Sequence, residues 1–104
     1  MEGKQYNKLV GDNIPDYLDS KGIPYEKRTA TLEEYKEELI KKLKEEIEEF
    51  LISKNSEELA DIIEVVEALK KLAEFKDIEN VRLDKLKKRG GFEKRFIVKG
   101  IDDR

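Results

Sequence analysis

The stretch Lys44–Asp61, KEEIEEFLISKNSEELAD, decides the fold and holds the residues best suited to chemistry. It contains two carboxylate pairs, Glu46/Glu49 and Glu58/Asp61, with a short polar break between them. Residues three apart lie on the same side of a helix. The stretch therefore predicts two helices, each carrying one pair of carboxylates, that meet at a tight turn.

The apolar pattern on both sides of the break predicts two long helices. The first begins at Thr31, where Thr31 and Glu34 match a capping box. Its apolar residues then recur at steps of four, four, four and three: Tyr35, Leu39, Leu43, Ile47 and Phe50. The second begins after a cap at Asn55 or Ser56 and runs to about Phe75. The short break between them predicts an antiparallel helical hairpin.

Shorter elements are predicted on both sides of the hairpin. Asn13 as a cap and Pro15 in the first turn indicate a short helix through Asp16–Ser20. A third C-terminal helix is expected over Asp77–Arg89. The tail 92–100 alternates apolar and polar residues, as a short strand or an extended arm would. The prediction is one all-α domain covering 1–104.

Composition restricts both assembly and chemistry. The chain has 104 residues, of which 45% are charged and 38% apolar, and small chains bury proportionally little surface. We therefore expect at least a homodimer, in which two hairpins form a four-helix bundle. The chain contains no cysteine and no histidine. Disulfides, thiolate or imidazole metal sites, cysteine nucleophiles and histidine bases are thus excluded.

Charge and hydropathy narrow the expected partners and location. The formal net charge is -3, which does not favour nucleic-acid binding. No apolar run approaches the roughly 20 residues of a membrane span. The first residues, MEGKQYNK, lack the apolar segment of a signal peptide. We expect a cytoplasmic protein that binds neither membrane nor nucleic acid.

Helix geometry brings the four carboxylates together. On a helical wheel, Glu46 and Glu49 lie about 60° and 120° to one side of Leu43. Glu58 and Asp61 similarly flank the apolar side of the second helix, at about 40° and 100° from its centre. At about 1.5 Å per residue, Glu49 lies roughly 8 Å from the break and Asp61 roughly 9 Å, with Glu46 and Glu58 above and below that level. Three neighbouring residues are assigned to the opposite or outer face: Lys42, Glu45 and Glu48.

Four converging carboxylates repel one another, and burying them without neutralisation is costly. A hard divalent cation with oxygen ligands, Mg²⁺ with Mn²⁺ as a substitute, would remove that cost. Such a site suits metal-assisted attack of water on a phosphoanhydride. Spacing alone also allows a solvated Glu/Lys face, because a highly charged helix contains many such pairs.

Three motifs occur in order: YNKLVGDNIP at 6–15, EEIEE at 45–49 with EELADIIEV at 57–65, and KRGGFEKR at 88–95. The central pair resembles the EExxE and ExxD signature of the MazG-type all-α nucleotide pyrophosphohydrolases. The whole set is similar to their phosphoribosyl-ATP pyrophosphohydrolase-like branch. The resemblance covers nearly the full length of the chain.

The resemblance implies a hydrolase, a Mg²⁺-dependent nucleotide pyrophosphohydrolase that converts a nucleoside triphosphate to monophosphate and pyrophosphate. One role would be the clearance of non-standard nucleotides. The metal ligands implied by the resemblance are Glu46, Glu49, Glu58 and Asp61. The implied catalytic residues are Glu45, Glu46 and Glu49, with Glu45 an outer-shell group or base. The implied substrate-binding residues are Lys8, Lys88 and Arg89.

Two alternatives remain. Gly11 and Asn13 stand where this branch typically has Arg and Lys, which favours a non-catalytic helical dimer that binds nucleotide or a protein partner. The basic residues near the C-terminus, Lys88 among them, also suit the negative end of a helix dipole. For Arg89, within RGGF, the phosphate-binding interpretation is preferred.

Overall fold

The computed structural model describes residues 7–100, and within them it contains four α-helices and no strand. The helices are, in chain order, α1 (Ile14–Ser20), α2 (Leu32–Ser53), α3 (Ser56–Lys70) and α4 (Ile78–Arg89), with a 3-10 turn at Ala73–Phe75. The all-α prediction is confirmed. Tyr6, the first residue of the N-terminal motif, lies outside the described residues. No helix in 7–100 is long and apolar enough to cross a membrane.

The chain divides into two compact units, the first ending at Leu72 and the second beginning at Ala73. The first unit holds α1, α2 and α3. The second holds the 3-10 turn, α4 and the tail. The prediction of a single domain over 1–104 stays a prediction.

The α2–α3 hairpin forms where the sequence indicates it. Thr31 precedes α2, and its hydroxyl accepts a hydrogen bond from the Glu34 N–H at 3.1 Å. After α2, Lys54 adopts a left-handed backbone with φ 54°, which ends the helix and reverses the chain. The Asn55 side chain then accepts a hydrogen bond from the Glu58 N–H at 2.9 Å. The connection is only two residues long, so α2 and α3 pack side by side as an antiparallel pair.

The end of α3 differs from the prediction. The helix stops at Lys70 rather than continuing to about Phe75. Here the hydrogen-bond ladder tightens: Lys71 N–H donates to the Ala68 carbonyl, and Leu72 N–H donates to the Leu69 carbonyl. This change to three-residue spacing ends an α-helix without glycine or proline. The apolar pattern continues past that point and therefore did not reveal the boundary.

The other elements lie near their predicted positions. α1 begins at Ile14, two residues earlier than predicted, with Pro15 in its first turn. α4 covers almost the whole predicted third helix and ends at Gly90, which has φ 81°. In the tail, the Arg95 N–H donates to the Phe92 carbonyl in a turn, and the described residues after it form neither helix nor strand. The short strand is therefore not observed within the described residues, and the extended arm stays a prediction.

The hairpin buries little apolar surface. Among residues 7–100, the buried apolar side chains are Leu39 and Val65. Much of the apolar pattern of α2 and α3 is instead more than one-third exposed, at Ile40, Ile47, Leu51, Leu59, Ile63 and Val66. A pair of helices with so small a core is marginal on its own.

Asn55→Ala is expected to lower the free energy of unfolding by about 1 kcal/mol, because it removes the side-chain acceptor at the start of α3. Asn13→Ala is the matched control. Asn13 also precedes a helix, but its side chain makes no capping hydrogen bond, so its replacement should change stability little. Urea unfolding of both variants measures the difference. Equal losses would contradict a specific contribution from the Asn55 cap.

Candidate metal centre

Three carboxylates from the two hairpin helices meet at one place. α2 contributes Glu46, and α3 contributes Glu58 and Asp61. One oxygen from each lies within 4.8 Å of the others. Two oxygens on opposite sides of a single Mg²⁺ are about 4 Å apart, since each lies about 2.0–2.1 Å from the ion. The three side chains could therefore close on one cation with movements of less than about 1 Å.

The burial of carboxylate oxygens of Glu46 and Glu58 is the most informative feature of the cluster. Glu46 is only 8% exposed and is the buried charged residue among the described ones. One oxygen of Glu46 and one of Glu58, the Oε1 atom in each, are buried without a hydrogen-bond partner among residues 7–100. Buried polar atoms are nearly always paired, and an unpaired charge is costlier than an unpaired neutral group. A cation between the carboxylates would supply the missing interaction.

The pKa values of Glu46 and Glu58 also reflect the cost of burying charged carboxylates. Burial raises the pKa of Glu46, and the charges of Glu49 and Asp61 raise it further. Lys42 opposes that shift without cancelling it. The pKa of Glu58 is also raised, first by desolvation and then by contact with the Glu49 carboxyl. Ionised carboxylates are thus disfavoured here unless positive charge is added.

Glu49, the fourth predicted ligand, occupies a different position from the other three. It is exposed, and it does not belong to the group of oxygens that lie within 4.8 Å. It nevertheless lies close enough to raise the pKa of both Glu46 and Glu58. The structure therefore brings three of the four predicted ligands together and places Glu49 at their edge.

Glu45 is engaged by lysines. The Lys8 Nζ donates to Glu45 Oε2 at 2.9 Å, and the Lys42 Nζ lies 3.7 Å from Glu45 Oε1. The hydrogen bond from Lys8 holds the pKa of Glu45 below its ordinary value. A carboxylate with a lowered pKa is a weaker base. The catalytic role of Glu45 stays a prediction, and this environment does not favour it.

Lys42 is the residue that sequence reasoning missed. It was placed on the opposite or outer face, yet its Nζ lies 3.8 Å from Glu46 Oε2. Its side chain is only 25% exposed. Residues four apart share a helix face, and a lysine stem is long enough to reach along it. The spacing of four residues between Lys42 and Glu46 was therefore the feature of the sequence that could have predicted this contact.

The predicted substrate-binding residues fall in both units. Lys8 belongs to the first unit and binds Glu45 as described. Lys88 and Arg89 lie in the last turn of α4, in the second unit, where basic side chains suit the helix C-terminus. Their roles stay predictions.

A small pocket lies beside the cluster, between the N-terminal segment and α2. Its volume is about 220 Å³, and it is lined by residues 7–9 together with one face of α2: Glu38, Lys41, Lys42 and Glu45. Sites for drug-sized ligands are commonly about 300–1,000 Å³. This pocket would therefore admit only part of a nucleotide, such as a phosphate group.

Comparison of the chain with protein-family models, with curated proteins and with solved structures found no match.

In metal-free buffer, the free energy of unfolding is expected to rise as the pH falls from neutrality toward the ordinary carboxyl pKa of 4.5. Glu46 and Glu58 have raised pKa values in the fold, so the folded chain takes up their protons before the unfolded chain does. Protonation therefore favours the folded state in the window between the raised values and the ordinary value near 4.5. Groups with lowered pKa values, such as Glu45, change the free energy of unfolding only at pH values below that window.

Urea unfolding at several pH values in EDTA measures this dependence. The double variant Glu46→Gln/Glu58→Gln is the control, because it removes both raised groups and leaves the rest of the charge pattern intact. Its pH dependence should be smaller. The same dependence in the double variant and the unmodified chain would contradict the assignment to these two residues.

Proposed function

We propose that this chain is a Mg²⁺-dependent nucleoside triphosphate pyrophosphohydrolase that releases nucleoside monophosphate and pyrophosphate. The observation that supports the proposal is the convergence of Glu46, Glu58 and Asp61, with two buried oxygens that lack hydrogen-bond partners among the described residues. An all-oxygen donor set of this kind suits Mg²⁺ or Mn²⁺. The ordered motifs that resemble the MazG-type pyrophosphohydrolases supply the reaction type.

The proposal gives each side chain a part. Glu46, Glu58 and Asp61 would hold the cation, and Glu49 at their edge would complete the set. A bound Mg²⁺ neutralises phosphate charge and lowers the pKa of an attacking water. Glu49 suits the role of proton acceptor better than Glu45, because Glu45 is held by Lys8. Lys8 also lines the adjacent pocket. A phosphate group of the substrate could replace Glu45 there as the partner of Lys8.

We also propose that the active form is a homodimer in which two α2–α3 hairpins form a four-helix bundle. The support is the exposed apolar pattern of both helices beside a core of two apolar residues. Pairing two hairpins would bury that surface, as in other helical bundles. The proposed function thus concerns a pair of chains acting on a small nucleotide, with no membrane or nucleic acid involved.

The test is release of pyrophosphate from a panel of ribo- and deoxynucleoside triphosphates, with Mg²⁺, with Mn²⁺ and with EDTA. The proposal predicts turnover of at least one nucleotide with either metal and none with EDTA. Analysis of both products is essential, because release of monophosphate and pyrophosphate distinguishes this reaction from stepwise loss of phosphate. Absence of turnover across the panel would sink the proposal.

The alternative is a non-catalytic helical dimer that binds nucleotide or a protein partner. The observation that favours it is the N-terminal motif, in which Gly11 and Asn13 replace two cations expected to contact phosphate. Calorimetry separates the two functions. Nucleotide binding without turnover supports the alternative, whereas turnover rejects it.

A further inference from the structure

A chain of alternating charges runs from the N-terminal segment into the carboxylate cluster. Lys8 binds Glu45 at 2.9 Å, and Lys42 lies 3.7 Å from the other oxygen of Glu45. On its other side, Lys42 lies 3.8 Å from Glu46 Oε2. Exposure falls along this chain, from 39% for the Lys8 side chain to 25% for Lys42 and 10% for Glu46. Because salt and solvent screen buried charges weakly, the ion pair between Lys42 and Glu46 should be stronger than the more exposed pair between Lys8 and Glu45.

The two oxygens of Glu46 have different surroundings. Oε2 faces Lys42, whereas Oε1 is buried and has no hydrogen-bond partner in the described part of the chain. A carboxylate with one oxygen held by a cation has less freedom to rotate than one with neither oxygen held. Lys42 is itself restrained, because Glu45 engages it from the neighbouring turn of α2.

We propose that Lys42 is a positioning residue that holds Glu46 by Oε2 and leaves Oε1 available to a divalent cation. This inference rests on the metal site of the proposed function. Lys42 is not a ligand, since an ammonium group has no lone pair to donate. Its contribution is orientation of a ligand by a neighbouring group, which commonly changes metal affinity about 10–100-fold.

A purely electrostatic role predicts the opposite sign. A cation this close to Glu46 repels a second cation and competes for the same carboxylate. If charge alone mattered, removal of Lys42 would tighten metal binding. If Lys42 orients Glu46, removal weakens metal binding even though a positive charge has been lost. The direction of the change therefore separates the two roles.

The experiment compares Lys42→Met with Lys42→Arg and with Lys44→Met. Methionine keeps a flexible stem of similar length without the charge, and arginine retains the charge. Lys44 is an exposed lysine on the same helix, outside the chain of ion pairs just described, and it serves as the control. Calorimetric titration with MnCl₂ measures affinity in the absence of nucleotide. Thermal unfolding in EDTA measures the metal-free fold.

We expect Lys42→Met to bind Mn²⁺ about tenfold more weakly, Lys42→Arg to recover most of the affinity, and Lys44→Met to match the unmodified chain. In EDTA, Lys42→Met should also unfold several degrees lower than Lys44→Met, because buried Glu46 loses its counter-charge. Unchanged or tighter Mn²⁺ binding by Lys42→Met overturns the inference while leaving the proposed function intact.

The two proposals can fail separately. If the unmodified chain binds Mn²⁺ but hydrolyses no nucleotide, the proposed function fails and the positioning role is still decided by the variants. If the unmodified chain binds no Mn²⁺, both the metal site and the positioning role are overturned. If Lys42→Met and Lys44→Met unfold at the same temperature in EDTA, Lys42 does not hold Glu46, and the inference is overturned on that ground.

Discussion

Replacement of Glu46 by glutamine is expected to lower pyrophosphate release about a thousandfold. Glu46 is the most buried of the three clustered carboxylates, and its Oε1 atom has no hydrogen-bond partner within residues 7–100. Loss of a ligand that holds the metal removes several kcal/mol of transition-state stabilisation. About 1.4 kcal/mol corresponds to a tenfold change in rate, so an effect of this size is expected. Product release from a nucleotide that the unmodified chain turns over measures it.

The same substitution is expected to stabilise the metal-free chain at neutral pH. The pKa of Glu46 is raised in the fold, so burial and repulsion by Glu49 and Asp61 together outweigh the attraction of Lys42. A neutral isostere removes that unfavourable balance. Urea unfolding in EDTA should therefore show a higher midpoint for Glu46→Gln. A variant that loses activity while gaining stability cannot owe its loss of activity to misfolding.

Glu48→Gln is the matched control for this experiment. Glu48 lies two residues along the same helix, is exposed, and is outside the cluster of three. Glu48→Gln removes the same charge, but at an exposed position outside the cluster. The rate of pyrophosphate release should therefore stay within a factor of about two of the unmodified chain, and the free energy of unfolding within about 0.5 kcal/mol. Full activity in Glu46→Gln, or an equal loss in both variants, would contradict the assignment of Glu46.

The hairpin and its cluster could be predicted because the interactions that form them are local. The capping hydroxyl of Thr31 and the capping amide of Asn55 lie next to the helices that they start. Given those starts, a rise of about 1.5 Å per residue places Glu49 roughly level with Asp61 across a short turn, with Glu46 and Glu58 above and below that level. Convergence of carboxylates then follows from helix geometry.

Features that depend on long side chains or on small backbone adjustments were harder to predict. α3 ends at Lys70 by a change in hydrogen-bond spacing that no residue type signals. Lys42 reaches Glu46 along the side of α2 that the two residues share, a contact at a spacing of four residues that the assignment of Lys42 to the opposite or outer face overlooked. Glu49 shares the predicted side of α2, but it lies outside the group of three carboxylates whose oxygens come within 4.8 Å of one another.

Ile63→Glu is expected to dissociate the proposed homodimer. Ile63 lies on α3 and is 53% exposed, and it shares its side of the helix with Leu59 and Val66. In a two-fold symmetric bundle the substitution places two carboxylates at one apolar interface. Burial of an unpaired charge costs several kcal/mol, so the dissociation constant should rise more than about a hundredfold. Sedimentation velocity at several protein concentrations measures it.

Ile52→Glu is the control for this prediction, because it makes the same change on another part of the hairpin. Ile52 is 85% exposed and lies about 180° from Leu43 on the wheel of α2, away from the apolar side. It should leave the association unchanged. Since the hairpin alone has a small core, Ile63→Glu should also unfold at a lower temperature than the unmodified chain, with a midpoint that depends less on protein concentration.

Sedimentation and thermal unfolding together decide whether this apolar side is an interface between copies of the chain. If the unmodified chain sediments as a monomer with a midpoint independent of concentration, the exposed apolar residues do not pair two hairpins, and the four-helix bundle is excluded. If both variants dissociate alike, a general effect of added negative charge is responsible. Only dissociation specific to Ile63→Glu assigns the interface to α3, because the two variants differ solely in which side of the hairpin carries the new charge.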